Sequence, residues 1–275
     1  MLFPDFLYRY RSAQTEYFEM EISKAFRHRE VFCSPISEMN DPLDCNPVLE
    51  NSSFREVTDT IRKYRIPVVS NESLRRFGAD KRMTRKIKKT SIIENARISR
   101  QTVKFHMARF RSRTLVASFC QDWNSTLMWS HYTQGHTGIC IKYKLNTSKF
   151  AKITEYPMKI NYVDERSTIN TVDAICVARE SDINHPLPDG LIAKAFAALA
   201  LEKSSDWNHE KEWRVAVLEN EKAGYYRFHP LEAVGIILGV NASEKTEKTV
   251  RQIIPERASV QRLQIDKRSY KIALG

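Results

Sequence analysis

The positive charge of this chain is concentrated in one segment, which sets that segment apart from the rest of the sequence. The whole chain of 275 residues has a formal net charge of +11. Residues 51–113 contain 18 Lys and Arg against 5 Asp and Glu, a net of +13 that leaves −2 for everything else. A segment this charged is typical of two or three surface helices. We therefore predict one domain over residues 1–275, with a basic helical insert at 51–113.

The basic insert has the composition of a surface for polyanions. Each phosphate that a lysine or arginine neutralises releases counterions, so nucleic acid is the natural candidate partner. A solvated charged face, or a surface for an acidic or regulatory protein partner, is the alternative. Aromatic residues are sparse in the insert, so contacts to the nucleic-acid backbone would dominate over base stacking. The densest run supplies the candidate nucleic-acid-binding residues: Arg75, Arg76, Lys81, Arg82, Arg85, Lys86, Lys88 and Lys89.

Several classes of protein are disfavoured by what the sequence lacks. No apolar run reaches the length of a membrane span and the first residues do not resemble a signal peptide, so we expect a cytoplasmic protein without a membrane partner. Five cysteines without Cys-x-x-Cys spacing are expected to be reduced core residues. The chain has no phosphate-binding glycine loop, Gly-x-Ser-x-Gly elbow or His-Glu-x-x-His motif, which argues against P-loop NTPases, α/β-hydrolases and zinc proteases.

Short apolar runs outside the insert alternate with helical patterns, which predicts an α+β fold. Strands are expected at 6–11, 31–34, 115–119, 138–143, 159–163, 212–218, 234–238 and 262–272. Helices are expected up to about residue 28 and at 128–132, 189–205 and 243–254. Together they predict a split, mostly antiparallel sheet with flanking helices.

Two glutamates stand at the start of the predicted strand 212–218. Alternation would place Glu210, Glu212 and Arg214 on one face. A glutamate in that position can bind a ribose hydroxyl and stabilise an oxocarbenium-like transition state, while its neighbour orients or deprotonates the attacking group. A surface ladder of Glu and Arg pairing across strands is the more ordinary interpretation of such alternation.

A second polar group follows the sequence Met-Trp-Ser-His-Tyr at 128–132. His131, Tyr132 and the nearby His136 could bind or protonate a ligand. The two histidines are five residues apart without a nearby carboxylate or paired cysteine, so no metal is expected here. A histidine hydrogen-bonded inside a packed turn is the alternative.

The third candidate group lies near the N-terminus. Arg9 and Arg11 share one face of the first strand, where bidentate hydrogen bonds would suit a phosphate or pyrophosphate. Ser34 and the turn that contains Asn40 and Asp41 follow in the sequence. The turn could equally serve structure alone, with an aspartate paired to one of the arginines.

Taken in order, five motifs resemble a widespread uncharacterised prokaryotic family, a domain of unknown function. They are Leu7-Tyr8-Arg9-Tyr10, Ser34-Pro35 with Asn40-Asp41-Pro42-Leu43-Asp44, Met128 to Tyr132 with His136 to Cys140, Trp207 to Arg214, and Ile236 to Gly239. The order of early arginine, central Ser or His-Tyr element and late Glu-x-Glu strand is also similar to the ADP-ribosyltransferase superfamily.

The second resemblance implies NAD as substrate and a set of roles. Arg9 would contact the dinucleotide phosphates, Tyr132 or His131 would pack against nicotinamide or ribose, and Glu212 would be catalytic, with Glu210 positioning the acceptor. No Ser-Thr-Ser triplet precedes Glu212, so a serine at 34 or 130 would have to replace it. The set of catalytic candidates is Glu212, Glu210 and His131, and the set of cofactor-binding candidates is Arg9, Arg11, Ser34, Asn40, Asp41, Trp129, Tyr132 and His136.

These patterns lead to one favoured function and two alternatives. The favoured function is an ADP-ribosyltransferase-like effector, suited to a toxin or phage-defence system, whose insert presents a nucleic acid or a nucleic-acid-bound protein. One alternative is a metal-independent nuclease that uses His131, His136 and Glu212. The other is a non-enzymatic regulator that senses a nucleotide or binds nucleic acid.

Overall fold

The structure of the chain is a computed structural model that describes residues 3–63, 80–149, 156–170, 172, 191–218 and 222–275. It has an α+β fold with a mostly antiparallel sheet, which confirms the predicted fold class. Helices α1 to α6 are Phe18–Ser23, Phe54–Lys63, Lys81–Arg113, Thr126–Tyr132, Leu191–Ala200 and Glu244–Ile253. Strands β1 to β14 are Phe6–Arg11, Glu30–Pro35, Val48–Glu50, Leu115–Cys120, Ile139–Leu145, Met158–Lys159, Asn161–Val163, Thr168–Asn170, Glu202–Ser204, Glu212–Val217, Gly224–Arg227, Leu231–Leu238, Ser259–Ile265 and Ile272–Leu274.

The chain divides into two compact units. The first comprises Met1–Asp44, Ser112–Asp164 and Lys203–Gly275, and the second comprises Cys45–Arg111 and Glu165–Glu202. Most of the predicted insert at 51–113 therefore belongs to the second unit, together with a later stretch of the chain. The prediction of a single domain stays a prediction.

A ten-stranded sheet forms the framework of the first unit. Its main path runs in the order β11-β2-β4-β1-β5-β12-β13-β14, and β10 and β6 join it through β4. Among the strands that the structure describes in this sheet, β12 and β13 form the parallel pair. The predicted strand at 6–11 is β1, which pairs along its whole length with β5.

The sheet forks at β4, and the fork determines where polar side chains meet. One edge of β4 pairs fully with β10, from Glu212 opposite Cys120 to Val217 opposite Leu115. The other edge is divided, because β1 meets it only at Cys120 and β2 meets it at Val116 and Leu115. Strands β1 and β2 therefore diverge beside the middle of β4.

Each face of the sheet in the first unit has its own apolar cluster. One face buries Leu7, Phe119, Ile141, Trp213 and Val215 together with the apolar sides of α1 and α6. The opposite face buries Tyr8, Tyr10, Cys120, Met128, Trp129 and Cys140. Strand alternation explains the division, because neighbouring residues of a strand point to opposite faces. Cys33, Cys120 and Cys140 are buried free thiols, as expected for reduced core residues, and Cys45 is buried as well.

The second unit contains the basic helices. Within its described residues the insert forms α2 and α3, as predicted, and all of α2 and most of α3 belong to this unit. Strand β3 pairs in parallel with β8. Ile169 and Leu199 are buried against Leu49, Met107 and Phe110.

Two predicted boundaries are wrong. The predicted helix 189–205 ends at Ala200, and Lys203 lies in β9 instead. The sequence does not mark this boundary, because the residues after the alanine-rich stretch are also compatible with a helix, and it is their polar partners in the fold that place them in a strand. The predicted strand 262–272 is two strands, β13 and β14, paired as an antiparallel hairpin. Residue 189 lies outside the described residues.

None of the helices in the described part of the chain combines the length and apolar character that crossing a membrane requires.

Candidate active site

The two glutamates of the Glu-x-Glu motif lie in different secondary-structure elements, but their carboxylates are close together in the interior. Glu210 ends a 3₁₀ helix at Ser205–Glu210, and Glu212 begins β10. Between them Lys211 adopts the left-handed conformation, with φ of 45°. Glu210 therefore precedes the strand, as the predicted bounds 212–218 imply, and the backbone turns sharply at Lys211. Both carboxylates are nonetheless buried, which rules out the surface ladder that alternation alone suggested.

Lys203 joins the two glutamates. Its Nζ lies 2.6 Å from Glu210 Oε2 and 3.2 Å from Glu212 Oε2, and its side chain is 3% exposed. The ammonium also lies 4.9 Å from the centre of the Trp207 ring. Sequence reasoning missed this residue, because a lysine at the end of an alanine-rich helix is usually solvated.

Arg214 and Asp44 extend this group into a buried charge cluster, defined here as Asp44, Lys203, Glu210, Glu212 and Arg214. Arg214 Nε donates to Glu212 Oε1 at 2.7 Å, and two of its nitrogens bond to both oxygens of Asp44 at 3.2 and 2.7 Å. Lys203 lies 3.7 Å from Asp44 as well. Such bidentate contacts fix the orientation of each carboxylate.

Hydroxyl groups complete the surroundings of the glutamates. Tyr132 Oη donates to Glu210 Oε1 at 2.6 Å, and Tyr162 Oη accepts the backbone N–H of Glu212 at 2.8 Å. Ser118 on β4 hydrogen-bonds to the Glu212 carboxylate. The glutamates are therefore held by side chains from α4, β4 and β7, in addition to Lys203 of β9.

The charges of the cluster keep Glu212 ionised. Burial by itself raises the pKa of its carboxyl, but Arg214 and Lys203 outweigh burial and lower the pKa to about 2. Burial opposes the charge of Lys203, yet the surrounding carboxylates raise its pKa. Burial and the bond to Glu210 raise the pKa of Tyr132. Near neutral pH, Glu212 is a carboxylate, Lys203 is an ammonium and Tyr132 is a neutral hydrogen-bond donor.

A small cleft at the fork of the sheet exposes part of this cluster. It encloses about 110 Å³. Pockets for drug-sized ligands measure about 300–1,000 Å³, so the cleft fits a ring or a ribose rather than a whole dinucleotide. Residues from both faces of the sheet contribute to it, because β1 and β2 diverge there. The lining residues are Tyr8, Arg9, Tyr10, Arg11, Met39, Asn40, Ser118, Phe119, Cys120, Met128, Tyr132, Lys203, Glu210 and Glu212.

Arg9 is one of the lining residues, and its side chain carries a buried guanidinium. Its side chain donates from Nη2 to the carbonyl of Phe32 at 2.8 Å and lies 5.7 Å from the centre of the Phe119 ring. The residue is only 7% exposed, and its Nε and Nη1 have no hydrogen-bond partner among the described residues. Buried guanidinium nitrogens are costly to leave unpaired, so this arrangement suits an anionic ligand group.

Two further predicted residues line the same cleft. Arg11 is committed to an ion pair with Glu21, with Nε and Oε1 2.7 Å apart. Asn40 hydrogen-bonds to Tyr132 through its side chain. The structure thus brings together Arg9, Arg11, Asn40, Tyr132 and the two glutamates.

The other predicted residues of this unit lie outside the cleft lining. Trp129 is completely buried and donates from its indole to the carbonyl of Trp123, so its place is in the core. His131 is exposed, and His136 stacks on Trp129, where burial lowers its pKa. Ser34 pairs with Val116 in the sheet.

Asp41 also has a structural role. One carboxylate oxygen accepts the backbone N–H of Leu43 at 2.8 Å, and the other accepts the indole N–H of Trp207 at 3.0 Å. It therefore fixes the turn that precedes Asp44. The described part of the chain shows no group of three or more side chains suited to a metal ion.

The predicted nucleic-acid-binding residues fall partly within the described residues. Lys81, Arg82, Arg85, Lys86 and Lys89 are exposed on α3. Positions three and four apart lie on one helix face, so these cations form a stripe. Arg75, Arg76 and the Lys88 side chain lie outside the described residues.

In comparisons with known proteins, one family model matches the central part of the chain. Searches of curated proteins and of solved structures gave no match. The matching segment includes most of α4, all of β5, and four members of the charge cluster, which are Lys203, both glutamates and Arg214. It begins at the Met-Trp-Ser-His-Tyr motif, which confirms the predicted resemblance to an uncharacterised family. Residues 128–215 match the family described as protein of unknown function, DUF2971.

Proposed function

We propose that this protein cleaves the N-glycosidic bond of NAD and transfers ADP-ribose to a macromolecule. The observation that carries the proposal is that Arg9 and the two glutamates line one cleft. Arg9 offers a phosphate two nitrogens that have no partner within the described part of the chain, and the glutamates offer carboxylates for a ribose. The enclosed volume would receive the nicotinamide ribose, with the rest of the dinucleotide extending beyond it.

Glu212 would act by stabilising positive charge. As the bond between ribose C1′ and the ring nitrogen breaks, the bonding electrons go to the ring and nicotinamide leaves as a neutral molecule. The ribose then carries oxocarbenium character, which a fixed, ionised carboxylate stabilises. Arg214 and Lys203 hold Glu212 in that state before the substrate arrives.

Glu210 and Tyr132 would act on the attacking group. The acceptor forms a bond to C1′ and loses a proton, for which Glu210 is the nearest candidate base. Tyr132 and Lys203 each bond to a different oxygen of Glu210, so the direction of its lone pairs is fixed. The transfer then leaves ADP-ribose on the acceptor and nicotinamide in solution.

The basic stripe of α3 would bind the macromolecule that receives ADP-ribose. Its exposed lysines and arginines suit nucleic acid, or a protein bound to nucleic acid, in the cytoplasm. An activity of this kind fits an effector of a toxin or phage-defence system.

A non-enzymatic nucleotide sensor is the second candidate function. The observation that favours it is that both glutamates already form ion pairs within the cluster. Carboxylates held in this way can bind a ligand in a fixed orientation without taking part in a reaction. The nuclease hypothesis has less support, because among the described residues neither His131 nor His136 lines the cleft with Glu212.

The test is nicotinamide release from NAD by the purified protein, with and without mixed RNA and DNA. We expect Glu212→Gln to reduce release by about 100-fold or more, the usual effect of removing one electrostatic stabiliser. Glu247→Gln is the control, since Glu247 pairs with Arg251 and Arg262 elsewhere in the unit. Release that persists undiminished in Glu212→Gln contradicts the mechanism, and binding without release favours the sensor.

A further inference from the structure

The hairpin of β13 and β14 projects beyond the strand next to it in the sheet. Strand β12 pairs with β13 from Ser259 to Arg262, and β12 itself ends at Leu238. Residues 263–265 of β13 pair with β14 alone among the described strands, and every residue from 264 to 271 is exposed. We define residues 264–271 as the hairpin tip. The core of the unit does not account for the side chains that this tip presents.

The turn of the hairpin tip is held in one conformation by Asp266. Its backbone N–H donates to the carbonyl of Lys271 at 2.9 Å and closes the hairpin. One oxygen of its carboxylate accepts the backbone N–H of Arg268 at 2.8 Å and the hydroxyl of Ser269 at 2.9 Å. A turn of this kind is stabilised by its own aspartate. The tip therefore presents its side chains from a fixed backbone, which lowers the entropy lost when a ligand binds.

The hairpin tip combines one exposed aromatic ring with three cations. The side chain of Tyr270 is completely exposed, so its ring has no packing role in this unit. Lys267, Arg268 and Lys271 are exposed within three positions of it. Asp266 is the single acidic residue of the tip, so the tip has a net charge of +2. An aromatic ring and a positive charge are thus offered together to solvent.

We propose that the hairpin tip binds single-stranded nucleic acid, with an unpaired base stacked on Tyr270 and the adjacent phosphates bound by the three cations. Sites that bind single strands without sequence preference combine aromatic rings for the bases with cations for the backbone. A duplex offers the same phosphates, but its bases are already paired and stacked on each other. The inference goes beyond the proposed function, because it concerns a different surface and requires no cleavage of NAD.

The composition of the hairpin tip favours this ligand over a protein partner. A stable protein interface buries about 1,200–2,000 Å² of surface, with an apolar centre. Besides Tyr270, the tip exposes Ile265 as its one other large apolar side chain. A single base needs only one ring to stack on, whereas a protein interface needs a wider apolar surface than the tip supplies.

The two kinds of contact have different expected effects. Replacing an aromatic ring that stacks on a base by alanine weakens binding about fivefold to 150-fold. Tyr270→Ala should therefore weaken binding of a single strand about fivefold or more, and Tyr270→Phe should retain the affinity because it keeps the ring. Each phosphate contact contributes about 0.7 to the slope of log affinity against log salt for single strands. Replacing the three cations by glutamine should therefore reduce this slope by about two.

The experiment measures fluorescence anisotropy of labelled octamers of uridine and of deoxythymidine, with a duplex of eight base pairs as comparison. The full-length chain is titrated in a form whose exposed α3 cations are replaced by glutamine, so that binding reports the hairpin tip. These cations are Lys81, Arg82, Arg85, Lys86 and Lys89. Tyr17→Ala is the matched control, since Tyr17 is also more than half exposed but has Glu16 and Glu19 beside it in the sequence.

We expect Tyr270→Ala to weaken binding of a single-stranded octamer and to leave duplex binding and the effect of Tyr17→Ala unchanged. Comparing the two octamers shows whether RNA or DNA is preferred. No binding of either octamer, an unchanged affinity in Tyr270→Ala, or an equal loss for the duplex would overturn the proposal. Tyr270-dependent binding to vesicles of phosphatidylcholine and phosphatidylserine, without octamer binding, would also overturn it and assign the tip to a membrane surface. Nicotinamide release is measured separately, so either proposal can fail without the other.

Discussion

Replacing Lys203 by methionine should cost more stability than any single surface change in this unit. The substitution keeps an unbranched side chain as far as Cε and removes the ammonium that Glu210, Glu212 and Asp44 share. Because all four side chains are at most 4% exposed, water cannot take its place. Removing one partner of a buried ion pair costs about 3–5 kcal/mol. That is a large part of the 5–15 kcal/mol that holds a typical domain folded.

The assay is urea denaturation at neutral pH, with a lysine of ordinary exposure as control. Lys211 lies nearby in sequence and pairs with Asp122 at 2.7 Å, but these side chains are 55% and 39% exposed. Lys211→Met should therefore cost no more than about 1 kcal/mol. Lys203→Arg, which keeps the charge, should recover part of the loss. If Lys203→Met and Lys211→Met shift the urea midpoint equally, the buried cluster does not contribute as the structure implies.

Three further predictions concern stability. The pKa of Glu212 is lower in the folded than in the unfolded state, so its contribution is complete above about pH 4.5 and is lost toward about pH 2; urea midpoints across this range should fall less steeply in Glu212→Gln. Tyr132→Phe removes the bond to Glu210 and should lower the free energy of unfolding by about 1.5–3 kcal/mol in the same assay. Gly138→Ala places a methyl group 2.1 Å from the Arg11 carbonyl oxygen, so its melting temperature should drop sharply; an unchanged value would contradict the close approach.

The sequence predicted the elements of the site better than their connections. The alternation after Lys211 correctly indicated the strand that carries Glu212, and the N-terminal alternation correctly indicated the strand of Arg9. The sequence could not show that β1 and β2 pair with the same edge of β4, because the order of strands depends on contacts between residues that are far apart in the sequence. The cleft exists because of that sharing.

The residues missed or misplaced have local explanations. Lys203 follows a helical pattern, and only tertiary contacts with carboxylates give it a buried role. Trp129 stands in the same motif as Tyr132, but a seven-residue helix has an inner and an outer side that its sequence alone does not identify. Arg11 lines the cleft as expected, whereas its pairing with Glu21 depends on how α1 packs.

The most direct test of the account is a crystal structure of Glu212→Gln soaked with NAD. We expect a phosphate of NAD within hydrogen-bond distance of Nε or Nη1 of Arg9, and the nicotinamide ribose beside residues 210 and 212. NAD bound elsewhere on the protein, with Arg9 still unpaired and the cleft free of ligand, would contradict it.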